Sequence, residues 1–230
     1  QASAGELLEV TRRRARLAEG EPRVRHLMAA AELQAGPLAD PAGAVATYRE
    51  VLAAAPGHLP ALEALRAVLS RERRAAELVP VLEALAEAWR ADPARRVEAL
   101  LERAALLEGS GDAVAAYAEI LSEHPHHPAA AAGLERLLSR AETRAAASRL
   151  LEDLHRATGD GRRLVSLLEQ RLEEADGAAR GPLLAEISAL HQRLGQKPQA
   201  FLAKLRQYRE SVQPDGDDAA VRAELERLAA

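Results

Sequence analysis

Residues 124–128 read His-Pro-His-His-Pro. Three imidazoles in four positions pose a choice between a metal site and a break between two helices. Imidazole is a common zinc or nickel ligand. A strong site needs two ligands on one helix face at i and i+4, or ligands converging from separate elements. His126 and His127 are adjacent and flanked by Pro125 and Pro128, so their side chains diverge. The geometry favours punctuation, with the imidazoles in a solvated loop, and no metal or cofactor is expected. His26, His155 and His191 stand alone in helical stretches and read as surface or groove residues.

Other chemistry finds no pattern to carry it. GDGRR at 159–163 lacks the spacing of a phosphate-cradling GxxxxGK[ST] loop and reads as a turn. There is no GxSxG elbow and no HExxH. The acidic pairs Glu102 with Glu108, Glu173 with Glu174 and Asp217 with Asp218 sit in a chain that is 29% charged. They read as solvated helix faces. Arginine clusters at 12–14 and 71–74 have glutamates nearby and read as ion-paired surface. The reading is of a protein that is not an enzyme.

The elements that hold these residues are helices. About half of the 230 residues are apolar, yet 2% are aromatic. Alanine and leucine, the strongest helix formers, dominate, and the strand formers are scarce. The charge is −4, from 31 basic and 35 acidic residues. That balance argues against nucleic acid or a membrane surface as partner. No apolar run approaches the roughly 20 residues that span a bilayer. There is no cysteine, which excludes disulfides, thiolate zinc sites and thiol catalysis. Asparagine is absent and the lysines are Lys197 and Lys204, read as the codon bias of a GC-rich bacterial genome. The expected compartment is cytoplasmic, or periplasmic if a leader has been removed.

The chain repeats itself. AVATYREVLAAAPGH from Ala44 matches AVAAYAEILSEHPHH from Ala113 at an offset of 69. Ala44, Tyr48, Val51, Pro56 and His58 meet Ala113, Tyr117, Ile120, Pro125 and His127, and the match continues through Leu65 and Leu69 against Leu134 and Leu138. Helices are expected near 5–18, 22–36, 41–55, 59–71, 73–91, 94–109, 112–124, 128–141, 143–158, 162–175, 180–194, 197–211 and 217–229. Asp40, Asp112 and Asp217 are the natural N-caps, because a carboxylate accepts the free backbone N–H groups there. Stretches at Asp92-Pro93 and Gly159-Asp160-Gly161 mark breaks.

Sixty-nine is close to twice 34, the period of a helix–turn–helix array. The spacing Ala44, Tyr48, Val51, Pro56, and again Ala113, Tyr117, Ile120, Pro125, resembles the second helix of the tetratricopeptide repeat. Val81, Leu85, Ala88 and Pro93 fit an intervening copy, and LGQKPQAFLAKL at 194–205 resembles the Leu-Gly…Ala element of the family. The resemblance covers roughly residues 6–229 and is degenerate. It implies an all-α, right-handed α-solenoid of antiparallel helix pairs, about 12–13 helices, forming one array over 1–230. Repeat pairs are expected at roughly 6–71, 72–141 and 142–229, with an extra spacer helix near 143–158.

The resemblance also implies a function. In this family the first helix of each repeat lines a concave groove that holds a partner segment. Projecting that register places Arg66, Ser70, Arg73, Arg95, Glu98, Glu102, Glu135 and Glu142 in the groove, with His26, Leu33, Glu63, Ser139, Gln192 and Arg193 beside them. Arg66, Ser70 and Arg73 are spaced i, i+4, i+7 for one face, giving a groove basic at one end and acidic in the middle. The expected function is a scaffold or adaptor binding a protein or peptide. The alternative is a regulatory module that senses a ligand or peptide and changes superhelix curvature. Self-association through the terminal helices is a further option.

Overall fold

In the computed structural model, the structure describes residues 3–211 and, beyond them, 223 and 225–227. The described residues form twelve α-helices: α1 Ala4–Leu17, α2 Gly20–Ala35, α3 Pro41–Ala54, α4 Leu59–Arg71, α5 Ala75–Ala88, α6 Pro93–Leu107, α7 Asp112–Glu123, α8 Pro128–Leu137, α9 Ala141–Thr158, α10 Gly161–Glu174, α11 Gly177–Arg193 and α12 Lys197–Ser211. The all-α expectation holds. The helix expected at 217–229 falls mostly outside the described residues, of which 223 and 225–227 are helical.

Helices form where the sequence supplies start signals. Pro41, Pro60, Pro93 and Pro128 occupy first-turn positions, where a missing N–H costs nothing. Ser3 and Glu6 make a reciprocal capping box at α1. Asp40 caps α3, accepting from the Gly43 backbone N–H at 2.9 Å. Asp112 does not cap. It is already the first residue of α7, and the Ser110 hydroxyl accepts from its backbone N–H at 3.3 Å. Asp217 lies outside the described residues. α8 stops at Leu137, four residues short of expectation. The Thr143 hydroxyl donates to the freed Leu137 carbonyl at 2.8 Å, which lets α9 start at once.

Within each of two units connections are short, so each helix there folds back on the one before. The chain forms two compact units, Gln1–Glu123 and His124–Ala230. In the first, α1 to α7 pack each against the next; in the second, α8 to α12 do the same. The core follows the expected repeat positions. Ala44, Tyr48 and Val51 are buried, and so are Ala113, Tyr117 and Ile120 at the offset of 69. The tyrosines are therefore interior, and the Tyr117 hydroxyl donates to Glu108 at 2.6 Å.

A second repeat emerges in the second unit, with a period of 36. α9–α10 superposes in sequence on α11–α12: Leu151 on Ile187, His155 on His191, Gly159 on Gly195, Leu164 on Ala200 and Leu167 on Ala203. All of these residues except the two glycines are buried, and both glycines have positive φ, 74° and 72°. The ion pairs repeat too. Arg144 meets Glu174 at 2.8 Å, and 36 residues on Arg180 meets Glu210 at 2.9 Å. At the offset of 69, α9 instead matches α5, with buried Leu78 on Ala147 and Leu82 on Leu151. α9 thus carries both registers, that of a second helix following α8 and that of a first helix preceding α10.

Candidate functional site

The His-Pro-His-His-Pro segment resolves into a helix cap. The His127 Nδ1 accepts from the Ala130 backbone N–H at 3.4 Å, and His58, its counterpart, accepts from Ala61 at 3.3 Å. The His127 backbone N–H donates to the His124 carbonyl at 3.0 Å, closing the turn. The imidazole does the work usually done by Ser or Asp at this position. Punctuation is the right reading, but His127 is a working cap rather than a solvated bystander.

The expected groove residues fall in both units. In the first unit, α4 and α6 present Glu63, Arg66, Arg95, Glu98 and Glu102. Arg66 pairs with Glu102, and Arg95 faces Glu63 at 3.8 Å and Asp92 at 3.6 Å. The Arg95 guanidinium also lies over the Trp89 ring, 5.8 Å from its centroid. Ser70 and Glu98 are exposed. Basic and acidic residues therefore interleave across α4 and α6 instead of forming separate ends.

Arg73 does not join that face. α4 ends at Arg71, and Arg73 sits in the following turn with φ 55°. The backbone N–H of Arg74 reaches the Leu69 carbonyl at 3.0 Å, as Asp160 reaches His155 at 3.0 Å and Gln196 reaches His191 at 2.8 Å. These three turns share one geometry, in which the left-handed residue is Arg73, Gly159 or Gly195. The i, i+4, i+7 spacing assumed helix beyond the point where the backbone had already turned.

The second unit holds a cleft of about 930 Å³ between α8, α9 and α10. It takes in Glu135 and Ser139 from the expected set; Glu142 is exposed on the first turn of α9 and is not part of its lining. Its floor is the α9 face of Arg144, Ser148, Glu152 and His155, spaced three and four apart, and α10 supplies Arg163, Ser166, Gln170 and Arg171 opposite. Glu152 is buried, and its carboxyl group is fully engaged. It accepts from Arg171 at 3.0 Å, from Arg156 at 3.3 Å and from Ser148 at 3.2 Å. A buried carboxylate needs such partners. Here they brace the floor from both helices.

His155 was expected as a surface or groove residue; it is not on the open surface, since only 4% of it is exposed, and it lines this cleft. Burial holds its imidazole below the ordinary histidine range; Asp160 opposes this, Arg163 reinforces it and Glu135 opposes it. His191, equally buried, has a hydrogen bond to Gln196, Nδ1 to Oε1 at 2.7 Å. Sequence reasoning missed this pair. The signal was present: Leu154-His155 and Leu190-His191, each four residues before a glycine, mark the 36-residue period. Among the described residues no group of three or more His, Asp or Glu side chains could hold a metal ion. No helix among them is long and apolar enough to cross a membrane.

Comparison with known proteins gives structural neighbours. No family model matches the sequence, and no curated protein matches it. Among solved structures, a tetratricopeptide repeat protein from Parabacteroides merdae ATCC 43184 is similar at 15% identity and a TM-score of 0.38, over 98% of this chain and 93% of that chain. BtubC (BKLC) from P. vanneervenii is similar at 16% identity and a TM-score of 0.35, over 91% of each chain.

Proposed function

We propose that this helical-repeat protein is a binding scaffold that takes an extended segment of a partner polypeptide in the α8–α10 cleft. The single observation that carries the reading is the cleft itself, about 930 Å³ and lined along α9 from Ala141 to His155. That stretch of helix rises about 21 Å at about 1.5 Å per residue, the length of about six residues of extended chain. The tetratricopeptide-like spacing of the sequence supports the same mode.

The α4–α6 face of Arg66, Ser70, Arg95, Glu98 and Glu102 is a second contact surface in this reading. Its arginines are already paired with carboxylates, so it selects a partner by polar contact rather than by a field of one sign.

The experiment is affinity capture from a lysate of the source organism, after circular dichroism confirms that all variants are helical. Wild type runs beside Ala145→Trp, which fills the cleft from an exposed position, and beside Arg66→Glu with Glu98→Arg. A partner kept by wild type and lost by Ala145→Trp supports the cleft. A partner indifferent to Ala145→Trp and lost by the α4–α6 variant moves the site to the first unit.

A further inference from the structure

We propose that His155 is the recognition residue of the α8–α10 cleft, hydrogen-bonding an uncharged hydroxyl or carboxamide group on the bound segment. This rests on the binding role proposed above and adds the chemistry of its anchor.

The argument begins with two histidines in one repeat position. His155 and His191 occupy the same place in successive 36-residue copies and are both buried. Each backbone carbonyl accepts the same closing bond of the following turn. Their side chains differ in what they meet. His191 is tied to Gln196 and faces a recess of about 110 Å³. The residue that replaces Gln196 beside His155 is Asp160, and its carboxylate is turned to cap α10, accepting from the Arg163 backbone N–H at 3.2 Å. The His155 ring has no hydrogen-bond partner among the described residues, and it lines the large cleft.

The buried side-chain polar atoms without a hydrogen-bond partner among the described residues are on Trp89, Glu102, Arg103 and Gln207; the His155 ring nitrogens are not among them, so they face the solvent of the cleft and are open to a ligand. The other buried polar group of the floor shows what satisfaction looks like, since Glu152 has three partners. His155 alone is left open, on the cleft side.

The surroundings define what it can receive. A neutral imidazole offers one donor and one acceptor, the complement of a hydroxyl or an amide. Asp160 and Glu135 on the one hand and Arg163 on the other act on the ring with opposite sign, and Glu152 and Arg171 are paired with each other, so the spot offers no field of one sign to select a charged group.

The probe is a phage-displayed library of random seven-residue peptides, panned on the full chain. Selected peptides are synthesised and titrated calorimetrically against wild type, Ala145→Trp, His155→Leu and His155→Gln, each checked for helicity. The expected peptides are blocked by Ala145→Trp and share Ser, Thr, Asn or Gln at one position. Their affinity falls about tenfold in His155→Leu and stays within about threefold in His155→Gln, which keeps a donor and an acceptor. The melting temperature of free His155→Leu is expected to stay close to that of wild type, because the ring makes no hydrogen bond within the described chain. A histidine with a purely structural role would give a lower melting temperature and unchanged affinity. Peptides blocked by Ala145→Trp but indifferent to His155→Leu, or anchored by a charged residue, would overturn the anchor and leave the cleft standing. Peptides indifferent to both variants would remove the cleft as the site. No enrichment at all would contradict the binding role together with its anchor.

Discussion

At the residue scale, the histidines show how one side chain serves different ends by position. His127 accepts from a backbone N–H at the start of α8. Replacing it with Ala leaves that donor open and is expected to lower stability by about 1 kcal/mol, whereas His127→Asp keeps the cap. Urea unfolding of the two variants checks this. Arg73 holds a left-handed conformation in the turn geometry that Gly159 and Gly195 share. Arg73→Gly is therefore expected to stabilise the fold by about 1 kcal/mol and Gly159→Ala to destabilise it by a similar amount, read from the same unfolding curves. The cap was half legible in the sequence. Pro56 with His58 and Pro125 with His127 marked a boundary, but a histidine is an uncommon cap, so the imidazole's role lay in the backbone geometry. The place of Arg73 was not legible, since an arginine does not announce a left-handed turn as a glycine does.

At the scale of elements, polar residues inside the packing set the register of the helices. Gln34 and Thr47 are buried between α2 and α3, and the Thr47 hydroxyl donates to Gln34 at 2.6 Å. Gly43 lies against them. A Cβ there would come within 2.1 Å of Gln34 and 2.0 Å of Asp40. Helix propensity alone would favour Gly43→Ala by up to about 1 kcal/mol. The expected result is the opposite, a loss of about 1–3 kcal/mol from overpacking, measured by thermal or urea unfolding.

His155 makes the stability of α9 depend on pH. Its folded pKa lies below the ordinary value of about 6.5. Between those two values the unfolded chain binds more protons than the folded one. The stability it supports is complete above about pH 6.5 and is lost as pH falls through the folded value. Urea midpoints of wild type should fall across that window more steeply than those of His155→Leu.

Helix positions were legible because apolar spacing of three and four and proline starts are strong local signals. The observed ends agree to within two residues for α3, α4, α6 and α7. The dual register of α9 was not, because its match to α5 hid its match to α11. Two offsets compete over the same eighteen residues, and the tertiary packing obeys both.

For the whole molecule, interleaved charge replaces the segregated charge that helix spacing alone implied. Arg66 with Glu102, Arg103 with Glu119 at 3.1 Å and Arg96 with Glu123 at 2.9 Å link helices within the first unit. Each partly exposed pair contributes at most about 1 kcal/mol. Their larger effect is to leave little net field for steering a partner, so the association rate should depend only weakly on salt. The places of α4 and α6 were readable from the repeat. Pairing across them was not, because it depends on side chains 32 to 36 residues apart coming into reach.

The central claim is that the partner segment lies in the α8–α10 cleft. Photo-crosslinking from a benzophenone side chain tests it most directly, placed at Ser166 inside the cleft or at Glu98 on α6, in cells of the source organism. The account predicts a crosslinked partner from Ser166 that disappears when Ala145→Trp is added. A partner captured from Glu98 and never from Ser166 would contradict it.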